Sequence, residues 1–192
     1  MSVRHGLPPG QRSAAARLYW QAFGAKLGRV MGPERKALAF IERVLDERHV
    51  ISACDASGAV IGVIGYRTAQ GSFVGGARAD LVAIYGWVGA FWRMGCLGVL
   101  ARDTETRALI VDGLAVAPDW RGAGVGAALI EALVVEATMR GYRELRLDVV
   151  GENLRARALY ERMGFAVTRR RDSRLTRLFF EFQTAYVMIR PL

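Results

Sequence analysis

The chain has 192 residues, of which 52% are hydrophobic and 23% charged, and its formal net charge at pH 7 is +9. A chain of this length is sufficient for one well-packed domain and short for two. Its composition, with no repeat and no low-complexity tract, argues against an intrinsically disordered protein. The positive charge indicates an anionic partner, either a polyphosphate ligand or a nucleic acid, unless it only solvates the surface.

Two features of the sequence bear on the compartment of the protein. The stretch "MSVRHGLPPGQRSAAARLYW" has no apolar segment before a small-residue cleavage site, so secretion is not indicated. Cys54 and Cys96 are too few for a disulfide framework, and neither has a second Cys or a His at metal-ligand spacing. We therefore expect a cytoplasmic protein with two reduced thiols and no metal site.

The first third of the chain predicts two helices and a hairpin. Apolar residues recur at helical spacing over residues 11–27 and again over residues 33–47, where Pro33 suits the first turn of a helix. The period then changes to that of strands in "HVISACD" and "AVIGVIGYRT", which a turn at Ser57 and Gly58 separates. We expect these two strands to pair as a β-hairpin.

The stretch "LVAIYGWVGAFWRMGCLGVL", residues 81–100, is apolar over a length that could span a bilayer. Arg93 near its middle and the interspersed glycines argue against a membrane span, because a charge inside a membrane costs several kcal/mol. We favour a helical or irregular flap that buries itself on the domain, with aromatic side chains that either line a site or pack in the core. Those side chains are Tyr85, Trp87, Phe91 and Trp92.

The second half of the chain predicts alternating strands and helices. Strands are predicted in "ALIVDGLAVAP", "ELRLDVV" and "FAVTRR", and a last long strand in "LFFEFQTAYVMIRP". Helices are predicted over residues 124–140, closed by Gly141, and in "LRARALYERM", with Asn153 as the N-cap and Gly164 after its end. This order predicts a mixed α/β sheet layered with helices.

The stretch "DWRGAGVGAALIEAL", residues 119–133, opens a good helix with three glycines. Each glycine weakens a helix by roughly 1 kcal/mol relative to alanine. The amides at a helix N-terminus have no intrahelical partner, and with the helix dipole they form an anion site. Gly122, Gly124 and Gly126 carry no Cβ that would hold a phosphate away from these amides, so we predict that a pyrophosphate binds here.

Two other phosphate-binding patterns fit less well. A Walker-type loop ends in Gly-Lys-Ser/Thr, whereas this stretch ends in Gly126, Ala127 and Ala128, so triphosphate hydrolysis is set aside. Gly122, Gly124 and Ala127 do satisfy the G-x-G-x-x-A pattern of a dinucleotide fold. However, "APDWR" separates the strand from the first glycine, and the strand "ELRLDVV" ends without an acidic residue at its tip.

Together with a second motif, this stretch resembles the GNAT superfamily of acyl-CoA-dependent N-acetyltransferases. The family motif Arg/Gln-x-x-Gly-x-Gly/Ala matches Arg121, Gly124 and Gly126, after a strand that ends in "LAVAPDW". The second motif, "NLRARALYERMGF", follows at the expected distance, and its matching residues are Asn153, Ala156, Tyr160, Gly164 and Phe165. The resemblance is strong over residues 109–165, weaker over the first two helices, the hairpin and the last strand, and absent from residues 69–107.

The resemblance implies a single α/β (α+β) domain over residues 1–192, with a mostly antiparallel central sheet flanked by helices and an apolar, aromatic-rich insertion around residues 78–104. It also implies acetyl-CoA as the co-substrate. The backbone groups of Leu114, Ala115 and Val116 would then pair with the pantetheine arm as though it were an added strand. The amides of Arg121, Gly122, Ala123, Gly124, Val125, Gly126 and Ala127 would hold the pyrophosphate, and Asn153, Ala156 and Tyr160, spaced along one helix face, would complete the cofactor contacts.

Asp112 is the candidate general base. Amide formation from a thioester requires a neutral amine, and some GNAT members carry an acidic residue at this position. Strand alternation predicts that Asp112 shares a side with Leu114 and Val116. The alternative is a strand-edge Asp held by a nearby Arg, and Asp148 and Glu105 are reserve candidates for the base.

Tyr160 is the candidate general acid. A phenol with a pKa of about 10 stays protonated at pH 7 and can supply the proton that the leaving thiolate takes up. The alternative is a half-buried tyrosine that only packs. The N–H group of Val116 is the predicted donor to the oxyanion.

We therefore predict an N-acetyltransferase that transfers an acetyl group from acetyl-CoA to a primary amine of a small molecule or peptide, by direct attack in a ternary complex. Two alternatives remain: a non-catalytic acyl-CoA-binding module of the same fold, and a nucleic-acid-binding protein that uses the run "RRRDSRLTR" at residues 169–177. No groove-reading helix or stacking-aromatic motif accompanies that run, so a nucleic-acid partner is not expected. The identity of the amine is left open, and so is a homodimer.

Overall fold

The computed structural model describes residues 1–98 and 108–192. Its α-helices are α1 (Arg12–Met31), α2 (Glu34–Val44), α3 (Arg78–Gly98), α4 (Val125–Met139), α5 (Leu154–Arg162) and α6 (Arg174–Phe180). Its strands are β1 (Ser2–His5), β2 (Val50–Cys54), β3 (Val60–Thr68), β4 (Gly71–Ser72), β5 (Ala108–Val116), β6 (Glu144–Val150), β7 (Ala166–Asp172) and β8 (Thr184–Pro191). Two 3₁₀ turns, Glu47–His49 and Pro118–Trp120, precede β2 and α4.

The strands of the described residues form one sheet in the order β1-β2-β3-β5-β6-β8-β7, with the short β4 paired to β3. Neighbouring strands are antiparallel except β5 and β6, which run parallel. This pair is parallel because the crossover through α4 returns the chain to the end of the sheet from which β5 started. The predicted fold class, a mixed and mostly antiparallel sheet flanked by helices, is confirmed.

Helices cover both faces of the sheet. On one face α4 and α5 pack against side chains such as Leu109 and Val111 of β5. On the other face α1, α2 and α3 pack around residues such as Phe73 and Ala115. Successive residues of a strand point to opposite faces, so β5 contributes to both clusters. We refer to these as the α4 face and the α1 face.

The second helix and the elements before it differ from the prediction. Helix α1 continues to Met31, and α2 begins only after Pro33, which is its N-cap with an extended backbone, and ends at Val44. Strand β1 was not predicted, because Val3 is its one large apolar residue and all of its side chains are exposed. It forms because the edge of β2 offers backbone groups for pairing, with Val3 opposite Ala53.

The last predicted strand is wrong over its first half. Residues 174–180 form helix α6, and β8 begins only at Thr184. Ser173 caps α6 by accepting a hydrogen bond from the Thr176 N–H, at 3.3 Å. The helix buries Phe180 completely, and Glu181, with a φ of +60°, ends it. Burial of this one ring against α1 outweighs the strand propensity of the local sequence.

The apolar segment forms a helix, as one of the two favoured forms predicted. Helix α3 is interrupted at Gly86, whose φ and ψ of 70° and 172° are not helical. Tyr85 is buried, but Trp87, Phe91 and Trp92 are 68%, 75% and 42% exposed, so the prediction that they line a site or the core is wrong. Residues 99–104 of the predicted insertion lie outside the described residues, and the boundaries of the insertion stay a prediction.

Candidate functional site

The sheet opens between β5 and β6. The two strands pair only over residues 108–110 of β5 and 144–146 of β6. Beyond these residues β5 stays paired with β3 and β6 stays paired with β8, but in the described part of the chain no strand joins their inner edges. An extended ligand can therefore enter this gap and pair with a strand edge.

Backbone donors of β5 line the gap. Ala117 donates its N–H to the carbonyl of Ile61 at 2.8 Å, which directs Ala117 towards β3. Backbone groups of a strand alternate between its two edges, so Ala115 also faces β3, whereas Leu114 and Val116 face the gap. The N–H groups of Leu114 and Val116 are thus available to a ligand, and the predicted contribution of Ala115 is not met.

The loop after β5 brings a helix N-terminus to the same edge of the sheet. Gly122 and Gly124 have φ angles of +91° and +82°, which residues with a Cβ adopt only with strain, so the turn requires glycine at both positions. Gly124 is the N-cap of α4, and the first intrahelical bond runs from the Ala128 N–H to its carbonyl, at 3.0 Å. The amides of residues 124–127 therefore have no partner inside the helix. We call these amides, with that of Gly122, the phosphate cradle.

Two of the amides predicted to hold the pyrophosphate are used within the loop. Arg121 donates its N–H to the carbonyl of Pro118 at 3.1 Å, and Ala123 donates to that of Trp120 at 3.4 Å. These bonds fold the loop and leave the phosphate cradle directed outward. The Arg121 side chain also contributes to the loop, because its Nε donates to the carbonyl of Val116 at 3.1 Å.

Gly126 serves helix packing, contrary to the prediction that it gives a phosphate room. A Cβ at this position would lie 3.1 Å from Cδ2 of Leu159 and 3.6 Å from Cδ2 of Leu114. The missing side chain therefore lets α4 approach α5 and β5 closely. No atom lies within 4 Å of the Cβ position of Gly124, so that glycine leaves open space in front of the cradle.

Arg155 adds positive charge beside the phosphate cradle. Its Nη2 lies 4.0 Å from the Cβ position of Gly122, and the side chain is exposed on the first turn of α5. Amide donors, a helix dipole and a guanidinium together form a site suited to a diphosphate. The sequence analysis missed Arg155, although it stands two residues after Asn153 in the second motif.

Tyr160 lies in the core of the α4 face. Its side chain is 9% exposed, and its ring meets that of Phe165 in an edge contact with the centroids 5.8 Å apart. Burial raises the pKa of Tyr160 to about 12, because the phenolate is poorly solvated there. The phenol therefore stays protonated to strongly alkaline pH, as a general acid requires.

Asn153 and Ala156 form the start of the helix that carries Tyr160. The Asn153 side chain accepts a hydrogen bond from the Ala156 N–H at 3.2 Å and so caps α5, as predicted. Its side-chain NH₂ group remains a donor. Asn153 is exposed at the mouth of the gap and Tyr160 is buried, so the helix presents a polar contact outside and a phenol inside.

Three aromatic rings pack together on the α1 face beside β5. Two belong to α1, and the third is Phe73, the residue after β4. A Cβ at Gly113 would lie 2.7 Å from Cζ of Phe23, and one at Gly65 would lie 2.3 Å from Cδ1 of Phe73. Tyr19 joins these rings, with centroids 4.6 Å from Phe23 and 6.0 Å from Phe73. Because Gly65 of β3 and Gly113 of β5 have no side chains, these rings pack directly on the two strands and form an apolar wall where the gap begins.

A β-bulge occurs at Asp112. Gly65 of β3 is opposite Gly113, but Tyr66 is opposite Val111, so Asp112 is an additional residue on β5. Such a bulge interrupts the alternation of side chains along a strand.

The bulge places Asp112 on the α1 face. Tyr66 packs in the α4-face cluster, so the next residue, Arg67, points to the α1 face, and Asp112 forms an ion pair with it at 3.0 Å. Leu114 and Val116 pack on the α4 face. The expectation that Asp112 shares a side with Leu114 and Val116 is therefore wrong, because it assumed an unbroken strand.

One reserve base, Asp148, and one unpredicted lysine, Lys26, belong to elements that border the gap. Asp148 stands opposite Val187 in β6, and Glu105 lies outside the described residues. Lys26 of α1 is partly buried, which lowers its pKa, and the charge of Glu152 beyond the end of β6 partly offsets this. Lys26 thus brings a cation towards the mouth of the gap on the α1 face, which no motif indicated.

The basic run does not form one element. Residues 169–172 belong to β7 at the edge of the sheet, where Arg170 pairs with Asp172 at 3.0 Å, and residues 174–177 belong to α6. The run is therefore divided between a strand and a short helix and does not form one nucleic-acid-binding helix.

Comparison with known proteins agrees with this geometry. The model of the Acetyltransferase (GNAT) family matches residues 13–165. A [Ribosomal protein bS18]-alanine N-acetyltransferase of Escherichia coli (strain K12) is 46% identical over 52 residues, which are 27% of this chain and 35% of that protein. The match thus spans about a third of the length of that curated relative.

Solved structures resemble the whole chain at low sequence identity. An N-acetyltransferase from Staphylococcus aureus Mu50 has a TM-score of 0.69 and 16% identity, over 98% of this chain and 100% of that chain. A GCN5-related N-acetyltransferase from Kribbella flavida has a TM-score of 0.67 and 19% identity, over 100% of this chain and 97% of that chain. At these identities the likeness establishes the fold.

Proposed function

Because this chain belongs to the acetyltransferase (GNAT) family, we propose that it transfers an acetyl group from acetyl-CoA to a primary amine of a small molecule or peptide. The observation that carries the proposal is the arrangement of two features at one edge of the sheet. The N–H groups of Leu114 and Val116 face an open gap, and the phosphate cradle follows directly in the chain. A ligand with an extended amide-containing arm and a diphosphate fits both.

The chain's own groups bind this co-substrate at three points. The cradle amides and Arg155 hold the diphosphate, because they direct partial and full positive charge at one place. Leu114 and Val116 hold the pantetheine arm by backbone hydrogen bonds, as an added strand. The exposed amide of Asn153 donates to the same ligand where it enters the gap.

The reaction forms a C–N bond and breaks a C–S bond in a ternary complex. A lysine-like amine with a pKa of about 10.4 is mostly protonated at pH 7, a handicap of about 4–5 kcal/mol, whereas an α-amine with a pKa of about 8 loses only about 1 kcal/mol. The neutral amine attacks the thioester carbonyl, whose oxygen the Val116 N–H stabilises. The amine then releases a proton, and the thiolate takes one up.

Two residues on opposite faces of the sheet are assigned to these proton transfers. Tyr160 lies on the α4 face and supplies the proton to the thiolate, because its raised pKa keeps it protonated. Asp112 lies on the α1 face, where it forms an ion pair with Arg67 at 3.0 Å, and it accepts the proton of the amine directly or through water. The gap lets both act on one thioester.

The acceptor approaches from the α1 face in this arrangement. Phe23 and Tyr19 supply an apolar wall, and Lys26 supplies a cation near Glu152. A peptide or small molecule whose α-amine has an apolar neighbour suits this wall. The Escherichia coli relative is named for acetylation of an alanine, which favours an α-amine over a lysine side chain.

Two glycines of α4 allow a matched test of co-substrate binding. Gly124 and Gly141 stand before and after the same helix, with φ angles of +82° and +76° and no atom within 4 Å of either Cβ position. Alanine at either position should destabilise the fold by about 1 kcal/mol, because both backbones are left-handed. Only Gly124→Ala should weaken acetyl-CoA binding in calorimetry, by about tenfold or more, because it disturbs the cradle.

Release of free thiol from acetyl-CoA then tests catalysis, with α-amino peptides, small amines and lysine derivatives as acceptors. Amine-dependent thiol release that Gly124→Ala lowers supports the proposal. Binding of acetyl-CoA without thiol release for any amine would favour a non-catalytic acyl-CoA-binding module instead. If the Gly124→Ala and Gly141→Ala variants bind acetyl-CoA equally well, the phosphate cradle is not part of the binding site.

A further inference from the structure

From Leu81 onward, the exposed side of α3 carries no polar group except indole N–H groups. Within residues 81–98 every exposed position is Ala, Gly, Val, Phe or Trp. Its large members are Trp87, Val88, Phe91 and Trp92, which are 68%, 85%, 75% and 42% exposed. We call these four side chains the aromatic face. Contiguous apolar surface of this kind is unusual on a protein surface in contact with water alone and marks an interaction site.

The inward face of the same helix includes one buried charge among apolar side chains. Arg93 is 9% exposed and donates from Nη2 to the carbonyl of Gly32 and from Nη1 to that of Gly89, at 3.0 Å each. Its guanidinium lies 3.9 Å from the ring centroid of Tyr85. Charged residues normally face water and aromatic residues face the core, so the second half of α3, which buries Arg93 and exposes three aromatic rings, is inverted in this respect. The inversion indicates that an apolar phase, not water, covers its outer side.

One exposed cation contacts the aromatic face, and two others lie on the neighbouring helix α2. The guanidinium of Arg78 lies 5.2 Å from the ring centroid of Trp87, and Nζ of Lys36 lies 5.8 Å from that of Tyr85. Arg35 precedes Lys36 on the exposed side of α2. With the net charge of +9 of the chain, this rim complements an anionic surface and opposes contact between two copies of the protein.

We propose that the aromatic face binds the surface of an anionic lipid bilayer, with the second half of α3 lying in the plane of the interface. Trp and Phe side chains enter the boundary between headgroups and acyl chains, and the arginine and lysine rim contacts the headgroups. By length and apolar composition α3 is, in the described part of the chain, the one helix that could cross a bilayer. It lies on the surface instead, because Arg93 and the hydroxyl of Tyr85, which donates to the carbonyl of Met31, bind its inner side to α1 and α2.

The break in α3 suits this arrangement. Gly86 interrupts the helix between the half that packs on α2, through Leu81 and Tyr85, and the half that carries the aromatic face. The second half can therefore take a direction set by the outer surface of the domain. Two of its small residues, the half-buried Gly89 and the buried Ala90, face the protein and let the helix lie close to it.

Vesicle sedimentation tests this proposal with the intact protein. Vesicles of phosphatidylcholine alone are compared with vesicles that also contain phosphatidylglycerol. The double variant W87S/F91S removes two exposed rings and keeps every charge. The matched control V135S/M139S removes two exposed apolar side chains of α4, which are 56% and 73% exposed.

The protein should partition to the anionic vesicles about tenfold more strongly than to the neutral ones, and W87S/F91S should lose about tenfold in that partition. The V135S/M139S control should bind as the unaltered protein does, and binding should weaken with salt. Absence of sedimentation with anionic vesicles would overturn the proposal. So would equal sedimentation of W87S/F91S, since charge alone would then account for binding.

Analytical ultracentrifugation tests whether a second copy of the protein, instead of a bilayer, covers the aromatic face. If the protein forms dimers that W87S/F91S dissociates, and does not bind anionic vesicles, the aromatic face is a contact between two copies and the bilayer proposal is wrong. The result does not depend on the proposed acetyl transfer, because neither measurement uses acetyl-CoA.

Discussion

Helices α3 and α4 are both long and apolar, yet α4 buries its large apolar side chains and α3 exposes several of its own. Helix α4 buries Leu129, Ile130 and Leu133 almost completely. Helix α3 leaves Val88 and Phe91 85% and 75% exposed. Helix α4 lies on the sheet and contacts several of its strands, whereas α3 contacts the helices α1 and α2. A sheet offers a helix a broad apolar surface, and helices offer it only the ridges where they cross.

This difference also separates what each helix does for the molecule. The N-terminus of α4 forms the phosphate cradle, and its inner face fixes the sheet that carries the gap. Helix α3 has no part in that site among the described residues and instead offers a surface to an outside partner. Apolar composition therefore does not predict whether a helix is buried. The four measurements below test the different roles of the two helices and of the site beside α4.

The largest expected effect is on stability. Leu133→Ala should lower the free energy of unfolding by about 3 kcal/mol, because it leaves a cavity between α4 and the sheet. Phe91→Ala on α3 should change it by no more than about 0.5 kcal/mol. Urea unfolding measures both variants, and a loss of similar size for Phe91→Ala would show that α3 is covered in solution.

Tyr160→Phe should lower turnover about hundredfold, equivalent to about 2.7 kcal/mol, and leave the affinity for acetyl-CoA nearly unchanged. The raised pKa of Tyr160 means that its phenol is deprotonated only as the pH rises towards about 12. Deprotonation of Tyr160 should therefore not lower the turnover of the unaltered protein at any pH up to about 10. The W87S/F91S variant of α3 serves as the control, with unchanged turnover. Full activity of Tyr160→Phe would leave that tyrosine as a packing residue.

Arg93→Met should cost about 2 kcal/mol of stability, because two partly buried carbonyls, of Gly32 and Gly89, lose a charged donor. Arg78→Met, on the exposed start of the same helix, should cost less than about 0.5 kcal/mol and is the matched control. Thermal unfolding of the two variants compares them directly. Equal costs would contradict the inverted arrangement of α3.

The smallest expected effect concerns the candidate base. Asp112→Asn should lower the rate at neutral pH about tenfold and flatten its rise with pH, because the amide cannot accept the proton of the amine. Arg67→Gln tests the alternative, that the carboxylate is held only for structure. If the two substitutions cost similar stability and neither alters the pH profile, Asp112 is a structural partner of Arg67.

Motif spacing predicted much of the candidate site. The strand before the loop, helix α4, and helix α5 with its Asn153 cap all lie where the pattern indicated, because the glycines and the cap are local requirements of the backbone. The roles within the site were less predictable. Gly126 makes room for Leu159, and Asp112 changes face at a bulge, because both depend on a neighbouring strand or helix. The assignment of catalytic and cofactor contacts stays a prediction.

The limits of the sequence are clearest where an element's place depends on its neighbours. Residues 178–180 were predicted to begin the last strand, but burial of Phe180 against α1 places them in helix α6. Strand β1 has almost no apolar pattern and exists because β2 offers an edge. Such contacts join residues far apart in the chain, and no local window contains them.

Short stretches of sequence were enough to indicate the family, the phosphate-binding turn and the elements β5 to α5, because glycine geometry, capping and periodicity act over a few residues. Contacts between distant elements set three other features: β5 and β6 separate after three residue pairs, Asp112 and Tyr160 lie on opposite faces of the sheet, and α3 exposes its rings. The reason is physical: these features follow from which surfaces meet, and burial is a property of the pair of surfaces, not of either segment alone.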